Sequence, residues 1–223
     1  MIVAIDGPAG SGKSSTARAV AEALGFRHLD SGAFYRALTW AAMHRMVPVA
    51  DWPRLDSAAL DAFGVDAVPA GSGFLLRVRG RDVSAEIRTP QVTANVSTMA
   101  RVPAVREWLL ARLRHAATLA DLVADGRDIG TVVFPAAELK IFLVAEPATR
   151  AERRLRQMHL PVTGEAVAEE ARRIRDRDIA DSQREIAPLR PAPDAVHLDT
   201  THLTFDDQVA AIVHLARTRS HPQ

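Results

Sequence analysis

At 223 residues, with 48% hydrophobic and 25% charged side chains, the sequence has the size and balance of a globular α/β domain with a substantial core, alone or with one or two small insertions. A formal net charge of +1 argues against binding nucleic acid or a membrane surface by bulk charge, and the lack of cysteine rules out disulfides, thiolate nucleophiles and cysteine-ligated metals. The N-terminal apolar run is short and breaks at Asp6, so neither a signal peptide nor a membrane span is expected.

Ile2, Val3, Ala4 and Ile5 form the kind of run expected of a strand buried on both faces of a parallel sheet. Gly7-Pro8-Ala9-Gly10-Ser11-Gly12-Lys13-Ser14 then satisfies G-x-x-x-x-G-K-[ST] in its required setting, strand before and helix after. It is a P-loop. Its glycines permit backbone angles that other residues resist, so successive N–H groups turn inward and cradle a triphosphate at the positive end of a helix. Lys13 is expected to reach the β- and γ-phosphates and Ser14 to put its hydroxyl on Mg²⁺, with Ser15 closing the ATP-binding segment.

Thr16 to Leu24 reads as a helix capped by Gly25, and Arg27 to Leu29 as a strand that delivers Asp30 and Ser31 to its end. Ser31 opens a second helix that runs through Leu38, Ala41 and Ala42 and is stopped by Pro48; residues 51 to 63 suggest one short amphipathic helix. Then the texture changes. Gly71, Gly73 and Gly80 punctuate two β-like runs, Phe74 to Val78 and Arg81 to Val83, which predict a hairpin turning near Gly80-Arg81. Helical pieces follow at Glu86 to Arg88 and Gln91 to Met99, so residues 60–100 read as an insertion into the α/β core, functional or merely ornamental. Pro103 introduces a strong helix over Val105 to Leu119; Leu122 to Ala124, Leu139 to Val144 and Val196 to Leu198 are the remaining strands. Thr204 with Asp207 three residues on is the capping pattern of a last helix. Strands interleaved with helices predict a parallel sheet sandwiched between helices, with ligands at the carboxyl ends of its strands.

Three polar clusters fall at those ends: Asp6, then Asp30-Ser31 with Arg36, then Asp125-Gly126-Arg127-Asp128. A hydrophobic strand delivering an aspartate beside a P-loop makes Asp125 the candidate partner of Ser14 at Mg²⁺, directly or through water. The alternative reading of the third cluster is a surface turn. Arginine crowds residues 150–184. Arg150, Arg153 and Arg154 share one helical face, and Arg177, Asp181 and Arg184 another, with Pro161 and Gly164 breaking the helix between them. The two readings are a solvated charged face and a closing arginine lid that spreads cations over a transferring phosphoryl group. The eight histidines lack metal-ligand spacing and read as surface or packing residues, and three tryptophans with one tyrosine are too few for a base-stacking platform.

The motifs IDGPAGSGKS, LDSGAFYRAL, GRDVSAEIRT, PAVRE, ADGRDIGTVVFP, KIFL and RDIADSQREIAPL occur in the order found in bacterial cytidylate kinases, which the chain resembles from Ile2 to about Val213. The P-loop is shared by many families, whereas DSGAFYR with DGRDIGTVVFP is far more specific. The resemblance implies an α/β fold: a three-layer P-loop kinase core with a parallel five-stranded sheet, a nucleoside-monophosphate-binding insertion and a helical lid. It implies one domain, with core 1–59, 101–147 and 179–223, insertion 60–100 and lid 148–178. It also implies transfer of the γ-phosphoryl group of Mg·ATP to CMP or dCMP, with Lys13, Arg127, Arg177, Asp181 and Arg184 at the chemistry. Ser31, Arg36 and Arg127 are similar to contacts of the CMP phosphate, and Ser97, Arg106 and Asp128 to groups that read cytosine, whose C4 amino group calls for an acceptor. Arg177, Asp181 and Arg184 are similar to residues that meet the sugar and the transferring phosphate. Ala85 and Ala180 depart from the family pattern, which has glycine at the first position and, in some members, arginine at the second. A cytoplasmic monomer with Mg²⁺ as its cofactor, ATP and CMP or dCMP as its partners, and no nucleic acid or membrane is expected. Another small-molecule P-loop kinase, acting on UMP, AMP or shikimate, is the nearest alternative; a GTPase-type switch lacks its N-K-x-D motif here.

Overall fold

The computed structural model describes residues 1–220. In chain order the first elements are β1 (Ile2–Asp6), α1 (Lys13–Leu24), β2 (Arg27–Asp30), α2 (Ser31–His44) and α3 (Ser57–Phe63). Next come β3 (Val65–Ala70), β4 (Gly73–Val78), β5 (Arg81–Asp82), α4 (Pro90–Met99) and α5 (Pro103–Ala116). The chain continues with β6 (Leu122–Gly126), β7 (Leu139–Val144), α6 (Pro147–Gln157), α7 (Gly164–Ser182), β8 (Val196–Asp199) and α8 (Phe205–Ser220).

The central sheet has the order β2-β6-β1-β7-β8, all parallel. Alternation explains why its strands read as unbroken apolar runs. In β1, Val3 and Ile5 enter the core under α1 and α8, while Ala4 enters the core on the opposite face with α2 and α5. In β6, Val123 joins the first group and Leu122 and Ala124 the second. The result is a three-layer α/β core, as expected. With β1 in the middle of the order, the turn into α1 lies at a point where strand order reverses, the crevice where open α/β sheets bind ligands.

A second sheet, β3-β4-β5, is antiparallel. The hairpin expected from Phe74 to Val83 is present, but Val65–Ala70 adds a strand that the sequence hides: Pro69 and the short residues Ala67 and Ala70 weaken its alternation. Its Val65, with Leu76, Val78, Phe63 and Trp52, belongs to the same buried cluster as Leu29, Leu38 and Leu109, so this region is packed into the main core. The one helix expected over 51–63 is two pieces, a 3₁₀ turn over Val49–Arg54 containing Pro53 and then α3, because Asp56 accepts a hydrogen bond from the Ala59 N–H at 2.8 Å and caps a new start. Helix α1 starts three residues before the expected Thr16, on the P-loop lysine itself, and α5 covers Pro103–Ala116 instead of 105–119. Thr204 caps α8 as expected, accepting from the Asp207 N–H at 3.1 Å. Among the described residues, no helix is long and apolar enough to cross a membrane.

Candidate functional site

The P-loop turns between β1 and α1. A Cβ on Gly7 would overlap the carbonyl oxygen of Leu143, so the loop can pass β7 only with glycine there. Lys13 is buried, with its ammonium donating to the Pro8 carbonyl at 2.6 Å and to Ser11 Oγ at 3.3 Å. Burial, and then the neighbouring Arg127, pulls its pKa well below the ordinary lysine value. Ser14 donates to Asp125 Oδ2 at 2.6 Å.

One cavity of about 680 Å³ gathers the sites that the sequence scatters. From the P-loop it takes Ala9, Gly10, Gly12, Lys13, Ser14 and Ser15; Gly7, Pro8 and Ser11 lie outside its lining. Ser31 and Arg36 come from α2, Ser97 from α4, Arg106 from α5, and Asp125, Arg127 and Asp128 from the end of β6 and the loop after it. Arg177 and Asp181 come from α7. Arg184 was expected on the same helical face, but α7 ends at Ser182; it reaches the cavity from the loop beyond, through an ion pair with Asp181.

The turn-like Asp125-Gly126-Arg127-Asp128 segment is the hub of this cavity. Ser31 Oγ donates to the Asp125 carbonyl at 2.8 Å, and a Cβ on Gly126 would stand 2.5 Å from Ser31 Oγ, which excludes larger residues. Arg127 Nε donates to Asp181 Oδ2 at 2.9 Å, so the almost fully buried Asp181 holds both Arg127 and Arg184. Arg106 and Asp128 form a buried ion pair, with the Arg106 guanidinium 5.9 Å from the Tyr35 ring centroid. Burial raises the Asp128 carboxyl above the usual range, opposed by Arg106. Arg36 is oriented by Thr93, to whose hydroxyl it donates at 2.7 Å. Arg177 is pulled down to about 9, by burial first and by Arg127 next; it remains cationic at neutral pH, in a cavity crowded with like charge that an anion would relieve.

Past Asp128 the chain makes a π-helical turn, Ile129–Val133. Asp6 at the end of β1 accepts from the Ile129 and Gly130 N–H groups at 2.8 and 2.7 Å, and Arg114 of α5 donates to the Val133 and Val132 carbonyls at 3.0 and 2.9 Å. Both ends of the turn are therefore pinned, which fixes where Asp128 can point.

Among the described residues, no three His, Cys, Asp or Glu side chains form a metal cage. Ser14 and Asp125 offer one hydroxyl and one carboxylate. Oxygen donors this few suit Mg²⁺, which keeps waters and takes phosphate oxygens as its other ligands. Burial would raise the Asp125 carboxyl, but hydrogen bonds from His28 and Ser14, together with Lys13, hold it below the usual range and so keep it anionic.

The cytidylate kinase family model matches residues 3–218. The chain belongs to the cytidylate kinase family. It is 44% identical over 220 residues to a cytidylate kinase of Anoxybacillus flavithermus, covering 97% of this chain and 96% of that one. It is also 44% identical over 222 residues to a bifunctional pantoate ligase/cytidylate kinase of Prochlorococcus marinus, covering 98% of this chain but only 43% of that one. The chain thus spans less than half the length of the bifunctional relatives it matches. Among solved structures, an uncharacterized protein from Eubacterium ventriosum shares the fold at a TM-score of 0.51 and 10% identity, over 98% of this chain and 99% of that one.

Some residues of this cytidylate kinase family site were not legible as site residues. Phe205 and Leu203 supply apolar wall to the cavity, and Phe205, at the start of α8, is one of the few large apolar side chains left exposed. Arg150, expected with Arg153 and Arg154 as a cation of the arginine lid, lies outside the cavity lining that those two reach and instead grips the P-loop from α6, together with Asp178 of α7. Arg150 Nη1 donates to the Ala9 carbonyl at 2.7 Å, and Asp178 Oδ1 accepts from the Ala9 N–H at 2.8 Å, while the two side chains pair at 2.6 Å. Ala9 packs there with Ala151, Ala171 and Ile174. His28, read as a surface or packing residue, lies 2.7 Å from Asp125 Oδ1. Only pairing across strands reveals it, since sequence spacing between residues 28 and 125 carries no signal.

Proposed function

We propose that the chain transfers the γ-phosphoryl group of Mg·ATP to the 5′-phosphate of CMP or dCMP, giving ADP and CDP or dCDP. The observation that carries this reading is one cavity lined both by the P-loop lysine and by a buried Arg106–Asp128 pair, with Arg36, Arg127, Arg177 and Arg184 exposed to the same space. Phosphoryl transfer between two phosphates needs little covalent chemistry from a protein. It needs donor and acceptor held in line and their charge neutralised.

Gly7 to Ser15 would wrap the triphosphate, with Lys13 exchanging its contacts to Pro8 and Ser11 for phosphate oxygens. Ser14 and Asp125 would hold Mg²⁺, which when bound neutralises charge between the phosphates. Ser31, Arg36 and Arg127 would hold the CMP phosphate, and Arg177 and Arg184, with Asp181 fixing Arg127 and Arg184, would meet the sugar and the group in transfer. Ser97, Arg106 and Asp128 would read cytosine. The Asp128 carboxylate accepts from the C4 amino group, where uracil presents a carbonyl that it would repel. Residues 60–100 act in this reading as the acceptor-binding insertion of a single domain, and 148–178 as a lid over its core of 1–59, 101–147 and 179–223. A cytoplasmic monomer without nucleic-acid or membrane partners fits an ATP-dependent reaction of small nucleotides.

Coupled ADP release, measured with Mg·ATP and each of CMP, dCMP, UMP, AMP and GMP, tests the proposal. Release should depend on CMP or dCMP. Consumption of ATP regardless of acceptor, or only with a purine monophosphate, would overturn the cytosine reading.

A further inference from the structure

The Ser14–Asp125 corner has a third member. Residue His28 sits on β2 in register with Val123 of β6, and Asp125 lies two residues further along β6 on the same face of the sheet. That face carries α1, so the imidazole, the carboxylate and the Ser14 hydroxyl meet in a line: His28 Nε2 to Asp125 Oδ1 at 2.7 Å, and Ser14 Oγ to Asp125 Oδ2 at 2.6 Å. His28 and Asp125 are both buried, with side chains 7% and 3% exposed. A carboxylate can only accept, so the histidine nitrogen facing it must carry the proton.

We propose that His28 is a positioning residue for the divalent cation: by donating Nε2–H to Asp125 Oδ1, it fixes the carboxylate so that Oδ2 stays with Ser14 at the P-loop. The inference rests on the ATP-kinase reading above. The physical case is that an aspartate side chain with one oxygen untethered can rotate, and a buried carboxylate missing a donor seeks another. Either change withdraws Oδ2 from the P-loop corner. Partners that orient a metal-binding carboxylate in this way are worth about 10- to 100-fold in metal affinity. A histidine present only for packing would be worth nothing in that measurement. Replacement by a ring of like size would then be silent, and that distinguishes the two roles.

The test is binding, not turnover. Fluorescent mant-ATP is titrated onto the full chain in EDTA and at rising MgCl₂, for the parent protein, His28→Phe and His28→Leu, which lack the donor, and His28→Gln, whose amide can reach Asp125. Thermal unfolding identifies the folded variants; should both apolar variants fail to fold, His28→Asn, which stays polar but is too short to donate to Oδ1, takes their place. The MgCl₂ midpoint for tight binding should rise about tenfold or more without the donor, and return to within about threefold of the parent in His28→Gln. Affinity in EDTA should be unchanged throughout. A folded donor-free variant with the parent's MgCl₂ midpoint, or one whose affinity in EDTA falls by the same factor, overturns the proposal. A parent protein that binds no mant-ATP at all would instead bring down the kinase reading beneath it.

Discussion

At the scale of single residues, three of the site's cations, Arg106, Arg127 and Arg184, are held by the buried carboxylates of Asp128 and Asp181, which leave them little freedom. Lys13→Ala should lower turnover by at least about 10²- to 10³-fold, the cost of removing one preorganised charge donor, with the melting temperature nearly kept. Near-normal turnover in steady-state assay would contradict its role. For Asp128→Asn, discrimination of CMP against UMP should fall by about 10- to 100-fold, the worth of one charge-assisted hydrogen bond. Because Asp128 pairs with buried Arg106, that variant is best judged by the ratio of the two kcat/KM values, which lost stability does not move. The sequence displayed Lys13 and Ser14 because a P-loop is local, and Asp125 and Asp128 because they end a strand. It could not display Thr93 behind Arg36, His28 behind Asp125, or Asp178 behind Ala9, since each of these contacts joins separate elements.

At the scale of elements, the π-helical turn after β6 is the piece no periodicity announces. DGRDIG has the composition of an ordinary surface turn, yet Asp6 clamps its last two residues and Arg114 the chain that follows. Asp6 also carries the clearest pH signature. Burial pushes its carboxyl up to about 6, against the pull of the two backbone N–H groups. A carboxyl raised in the folded state contributes stability fully below its unfolded value near 4, and loses it as pH climbs through 6. The loss is on the order of 3 kcal/mol by pH 7. Chemical denaturation of the parent and Asp6→Asn across pH 4 to 7 should therefore show the parent losing ground by roughly that amount; a pH-independent difference would sink the assignment. Long, strongly patterned elements were readable: β7 runs over the very residues expected, Leu139 to Val144, and the order of strands and helices followed from their alternation. Weakly patterned or interrupted ones were not, whereas short strands such as β2, β6 and β8 were. Pro53 splits one expected helix, and β3 is too weakly patterned to see.

At the scale of the whole molecule, the parallel sheet brings the P-loop after β1 and the strand ends at residues 30 and 125 to one crevice, while Asp6 lies outside its lining on the Ile129 and Gly130 N–H groups, and α6 with α7 adds arginines from more than a hundred residues beyond the P-loop. That arm is held by ion pairs of its own, such as Arg154 with Glu170 at 2.6 Å, and by the grip of Arg150 and Asp178 on Ala9. Arg150→Ala removes bonds to a carbonyl and to a carboxylate, and should destabilise the fold by about 1.5–3 kcal/mol in denaturant titration. An unchanged midpoint would mean the grip is incidental.

The Ala9 peptide has its donor and its acceptor both occupied by side chains of the arm. Its amide is freed only when the Asp178 contact breaks, so the proton on this single nitrogen becomes a built-in clock: its exchange with deuterium counts how often the arm lets go of the phosphate loop.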